Sequence, residues 1–204
     1  MHRRILAAVL GIAAATLVFG QEDDLLPRTY SGNLRIVNMP SAMSGSRTAF
    51  LRMTIERWST DEERLGFARA LRDDGAEGLY RALEGTTVGY LQIDQNLRWP
   101  VRIASRFATD DGLKIRLVTN RPVLIEESRS GSRSLEYPIG IVEFVMPDGG
   151  KPGQGALLAA TRPAFNDQGQ LEVTSMPHQT DVQEVSGVRL EKPRGSRKSR
   201  EPKD

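Results

Sequence analysis

Through most of this chain apolar residues recur at every second position in short runs that end in turns, and this limits the fold more than any other feature. In the stretch TAFLRMTIERW, Leu51, Met53 and Ile55 alternate with Arg52, Thr54 and Glu56, the pattern of a strand with one face buried. The spacing predicts further strands over Tyr30 to Val37, Val88 to Ile93, Val101 to Phe107, Leu113 to Leu117, Val123 to Ser128, Leu135 to Met146, Gln154 to Arg162, Leu171 to Ser175 and Val182 to Leu190. Turn sequences separate them: Thr109-Asp110-Asp111-Gly112, PDGGKPG from Pro147 to Gly153, and NDQG from Asn166 to Gly169. So many short strands joined by tight turns imply an antiparallel meander that forms a barrel or a sandwich, not a parallel sheet.

One segment breaks the period. Ser59-Thr60-Asp61-Glu62-Glu63 supplies a capping box with either Ser59 or Thr60 as cap, and three acids then sit at the positive end of the helix dipole. A helix to about Arg72 follows, with Leu65, Ala68 and Leu71 on one side and Phe67 against Leu71. Asp74 and Glu77 repeat the cap, and Ala76, Leu79, Tyr80 and Leu83 form a second apolar stripe, with Gly75 and Gly85 as stops. The expected fold class is therefore α+β, mainly antiparallel β: a barrel-like or sandwich sheet with a helical hairpin inserted at about 60–84.

The ends of the chain read differently. Arg3 and Arg4 precede the apolar run ILAAVLGIAAATLVF, which falls short of the roughly 20 residues a bilayer span takes, and Val18 with Gly20 suits signal peptidase. Residues 1–20 are expected to be a signal peptide cleaved near Gly20, which leaves a periplasmic or secreted protein without a transmembrane span. Residues 21–28 read as a flexible lead-in, 29–190 as one β-rich domain, and 191–204 as a disordered basic tail without apolar residues to bury.

The chain has no cysteine, which removes disulfides, lipoprotein anchoring, thiolate nucleophiles and cysteine-ligated metals. Without Arg3 and Arg4 the 28 basic residues fall to 26, equal to the 26 acidic ones, and from Arg189 onward 7 basic side chains outnumber 3 acidic ones. The folded body thus lacks the basic footprint of a nucleic-acid binder. The tail, with Arg194, Arg197, Lys198, Arg200 and Lys203, can adhere to an anionic surface in a salt-dependent way.

Catalytic patterns are scarce. His178, in the turn-like SMPHQT, is the one histidine beyond His2, and no nucleophile elbow, phosphate loop, zinc motif or calcium loop is found. Gly150-Lys151-Pro152-Gly153-Gln154-Gly155 lies between two β segments and reads as a hairpin connection. No catalytic residue, metal ligand or cofactor is assigned. Glu126, Glu127, Glu136 and Glu143 stand on expected strands, where charged positions ordinarily face water. A pair of acids is nevertheless all that glycoside hydrolysis requires.

The expected hairpin of Val101 to Leu117 places Arg102, Arg106, Lys114 and Arg116 together, opposite Val101, Ile103, Ile115 and Leu117. These four are the candidate ligand-binding residues, suited to a lipid phosphate or a glycan carboxylate.

Trp58-Ser59-Thr60-Asp61-Glu62-Glu63-Arg64, Val88-Gly89-Tyr90, Thr119-Asn120-Arg121-Pro122 and Ser134-Leu135-Glu136-Tyr137-Pro138 are similar to patterns in a group of uncharacterised exported bacterial proteins. The resemblance runs from about Thr48 to Val188. It implies an exported bacterial protein and brings no activity or binding residues with it. The expected function is a non-enzymatic domain that binds a small ligand, a lipid or an envelope partner. The alternatives are a carboxylate-dependent hydrolase of envelope glycans and a structural or assembly partner.

Overall fold

The computed structural model describes residues 26–36, 47–95, 98–123, 137–166, 169, 171–175 and 183–192. Residues 1–25, Glu126, Glu127, Glu136, His178 and the tail beyond Lys192 lie outside them. Nine strands, one α-helical element and a 3-10 turn (Asp148–Gly150, between β6 and β7) are described, the strands and the α-helix in the order β1 (Arg28–Ile36), β2 (Arg47–Ile55), α1 (Asp61–Leu83), β3 (Gly89–Ile93), β4 (Arg98–Thr109), β5 (Gly112–Thr119), β6 (Ile139–Met146), β7 (Gly153–Phe165), β8 (Leu171–Ser175) and β9 (Gln183–Leu190).

Every strand pairing is antiparallel, and the sheet closes on itself into a barrel of eight strands. β8 and β9 follow each other along one edge of β7: Thr161 pairs with Ile139 on one side and Ser175 on the other, while Gly155 lies between Phe144 and Val185. Each strand therefore lies beside its predecessor, except that β8 and β9 share the last place, and β9 meets β1. Bulges interrupt β1–β9, β4–β5, β6–β7 and β7–β9. An extra residue of this kind sharpens local bend and twist, which a closed sheet needs.

The alternation expected of β2 holds: Ala49, Leu51, Met53 and Ile55 are buried, and Phe50 and Arg52 are exposed. Their inward neighbours Leu34, Leu91, Ile93, Trp99, Ile115, Leu117 and Phe144 are fully buried, and the Tyr30 and Phe144 rings meet at 5.3 Å. An eight-stranded barrel is just wide enough for side chains to fill, and these large residues fill it. Its inside is apolar and its bare outside polar, the reverse of a lipid-spanning barrel. No helix among the described residues is long and apolar enough to cross a membrane.

One end is closed from within. After β5 the chain crosses the barrel mouth, and Val123 donates its N–H to the Ala159 carbonyl at 2.7 Å. Val123 joins the interior core as a plug residue, and the rest of the strand expected over Val123 to Ser128 lies outside the described residues. A side chain at Gly140 would have met Val123 and Thr119 at 2.6 Å, so the crossing needs glycine there. Similarly, Leu26 of the expected lead-in packs against the core, and Arg28 already pairs with Ile55.

The helical hairpin appears instead as one helical element, Asp61–Leu83, kinked at Gly75, whose φ of 66° and ψ of −157° leave the helical region. Thr60, not Ser59, is the cap: its hydroxyl accepts from the Glu63 N–H at 3.2 Å, and the Glu63 carboxylate accepts from the Thr60 N–H at 2.9 Å. Ser59 is buried and tied to β4, accepting from the Ala104 N–H through its hydroxyl. Phe67, Leu71, Leu79 and Leu83 pack on Val118 and Ile139, with Ile103, Ile141 and Phe165 beside them, so α1 covers the outer wall of β4 to β7. Leu65, expected on the packed side, is 40% exposed.

Candidate functional site

The four basic residues singled out by the hairpin pattern do not share one face. The β4–β5 register slips between Val101 and Ile103, leaving Arg102 as the extra residue of a bulge. Before the slip Val101 faces inward; after it Ala104 does, and Ile103 joins the cluster beneath α1. Cross-strand partners share a face, so Arg106, opposite the buried Ile115, lies on the interior side. Its guanidinium stands 5.3 Å from the ring of Trp58. Lys114 and Arg116 remain together outside.

Those two meet a carboxylate that the β6 register brings beside them. Glu143, directly opposite Arg116, accepts from its guanidinium at 2.6 and 2.7 Å and pairs with Lys114 at 3.3 Å. Burial pushes the Glu143 carboxyl up, but Arg116 and then Lys114 outweigh it and hold it below the usual carboxylate value. At the start of α1, Glu63 is brought down to about 2, chiefly by its two hydrogen bonds from Arg57, which outweigh the cost of burial. Both groups are anions at neutral pH, whereas a glycosidase proton donor needs its pKa raised. No group of three His, Asp or Glu side chains suited to a metal converges among the described residues.

Arg102 lies elsewhere, on a cleft of about 310 Å³ lined by Tyr80, Glu84, Gly85, Pro100, Arg102, Asn120 and Arg121. Three elements build it: the C-terminal end of α1 carries Tyr80, β4 carries Arg102, and the chain leaving β5 carries Asn120 and Arg121. The bulge turns Arg102 toward neutral acceptors. Its Nε donates to Asn120 Oδ1 at 2.9 Å and its Nη1 to Thr87 Oγ1 at 3.0 Å and to the Thr86 carbonyl. None of the described carboxylates forms an ion pair with it. Arg121 lies with its guanidinium 6.0 Å from the ring of the buried Trp99. Glu84, at the C-terminal cap of α1, adds a carboxylate to the same lining.

Of the residues expected to bind ligand, Arg102 alone lines this cleft; Arg106, Lys114 and Arg116 do not. Asn120 and Arg121 were visible only as part of Thr119-Asn120-Arg121-Pro122. The useful signal was a polar pair stopped by proline at the end of a strand, where side chains gather at a barrel rim.

These features define a class by architecture, a closed antiparallel barrel with a kinked helix on one wall and a mixed-charge cleft at the end of that helix. No family model, curated protein or solved structure matches the chain.

Proposed function

We propose that this is an exported, non-enzymatic binding domain whose ligand, a small acidic carbohydrate such as an envelope sugar acid, sits in the outer cleft and not inside the barrel. The reading is carried by Arg102, a guanidinium fixed by three neutral acceptors at the wall of a cleft and unneutralised by any described carboxylate. A preoriented guanidinium gives a charge-assisted hydrogen bond to a carboxylate without first breaking an ion pair. Asn120 and Tyr80 offer neutral hydrogen-bonding groups, and Glu84 offers an acceptor for sugar hydroxyls. The Glu84 carboxylate in the lining disfavours a bare dianion and suits a ligand with one carboxylate and several hydroxyls.

The filled interior supports placing the ligand outside, since Trp99, Phe144 and Leu51 occupy the space a barrel ligand would use. Export rests on the leader pattern of residues 1–20.

Titrating the full chain with glucuronate, glucose and inorganic phosphate while recording nitrogen and proton shifts would test the reading. Saturable shifts confined to Tyr80, Arg102, Asn120 and Arg121 with glucuronate, lost in Arg102→Gln, are expected. No saturable shift, or one indifferent to Arg102→Gln, overturns it.

A further inference from the structure

The wall that α1 leaves bare carries an ordered row of side chains. Register places Arg98 opposite Gln92, Gln92 opposite Arg52, Arg52 opposite Ser31, and Ser31 opposite Arg189. The sequence neighbours Trp99, Leu91, Leu51 and Met53 are buried inside, so this row faces outward. With strands about 4.8 Å apart, arginines recur about 10 Å apart along a row of about 19 Å.

Arg98 and Arg189 are exposed and form no ion pair with a described carboxylate, while Arg52 shares Glu191 through Nε at 3.1 Å. Beside the row stands Phe50, 42% exposed, with the Arg52 guanidinium 5.6 Å from its ring centre. At one end, Arg98 lies two residues from Pro100, which lines the cleft.

We infer that this row is a binding track for a linear acidic polysaccharide, with the arginines taking carboxylates and Gln92, Ser31 and the face of Phe50 taking the sugars between them. The occupant follows from curvature and spacing. The row crosses five of the eight barrel strands, about half the circumference, so a planar bilayer touches only part of it while a flexible polymer wraps it. Cations alternating with neutral hydrogen-bonding residues match a polymer whose charges are separated by uncharged groups. The track deepens the proposed function, because it supplies further subsites for the same ligand class beyond the cleft.

The test uses the full chain, glucuronate, and linear oligomers of glucuronate of increasing length, with binding read by calorimetry at two salt concentrations. Affinity is expected to rise at least tenfold from monomer to an oligomer long enough to span the row and to fall with salt. The double variant Arg98→Gln, Arg189→Gln removes exposed side chains that pair with no described carboxylate; it should keep its melting temperature and lose about tenfold in oligomer affinity. Arg102→Gln should lose monomer binding and keep the gain with length, which separates failure of the cleft from failure of the track. Oligomer affinity equal to monomer affinity, or unchanged in the double variant, overturns the inference. So does equal retention on phosphatidylglycerol vesicles with the same dependence on Arg98 and Arg189, which would assign the row to a lipid surface.

Discussion

The outer wall over β4 to β7 and the outer wall over β9, β1, β2 and β3 are pleated alike, yet they bury very different things. Outward positions on the first include Ile103, Val118, Ile139 and Ile141, and α1 lies on them. Outward positions on the second include Ser31, Asn33, Arg52, Thr54 and Gln92, and no described element covers them. An apolar outward residue must be shielded from water, while a polar one satisfies itself there. The difference shows why one helix is enough: it covers only the stretch of wall where the outward residues are apolar, and leaves Lys114, Arg116 and Glu143 farther along β5 and β6 to pair with one another.

Substitutions can break this contrast. Leu83→Ala, in a fully buried side chain that anchors α1, should destabilise the protein by about 2–5 kcal/mol in urea unfolding. A smaller loss, about 1–3 kcal/mol by the same measurement, is expected for Gly140→Ala, whose new methyl meets Val123 and Thr119 within the plugged mouth. Thr60→Ala removes the cap at the start of the covering helix and should cost about 1 kcal/mol, with circular dichroism showing fraying of α1.

A pH series sharpens the same helix start. The folded Glu63 carboxyl lies at about 2 against an ordinary 4.5. Its stabilising contribution is therefore present above about pH 4.5 and is lost as pH falls toward 2. Melting curves of Glu63→Gln and the unaltered chain should differ at pH 6 and converge near pH 2; a constant gap would show that the carboxylate charge plays no part. On the bare wall, Gln92→Ala should change stability by less than about 0.5 kcal/mol, because its side chain lies outside the core.

Much of the fold was legible because alternation is a local property. Leu51, Met53 and Ile55, the turn at Thr109 to Gly112, and the cap at Thr60 each follow from residues within a few positions. The hairpin connection around Gly150 was legible for the same reason. The candidate site was less so. Reading β4 as an uninterrupted period of two put Arg102 and Arg106 beside Lys114 and Arg116, and one extra residue at the bulge sent each of the first two to a different place. Glu143 was seen as a charged strand position, but its pairing with Arg116 depends on the β5–β6 register.

Sequence alone determined that this chain forms antiparallel strands with one apolar face and a capped helical segment near Thr60, because side-chain period, turn residues and caps act over a few residues. Tertiary structure decided that the sheet closes, that Val123 plugs its mouth, and that Arg102 faces a cleft while Arg98, Arg52 and Arg189 align on the bare wall. The reason is physical: register, bulge phase and closure are fixed by contacts between residues far apart in the chain, and a shift of one residue in any of them turns every following side chain to the other face.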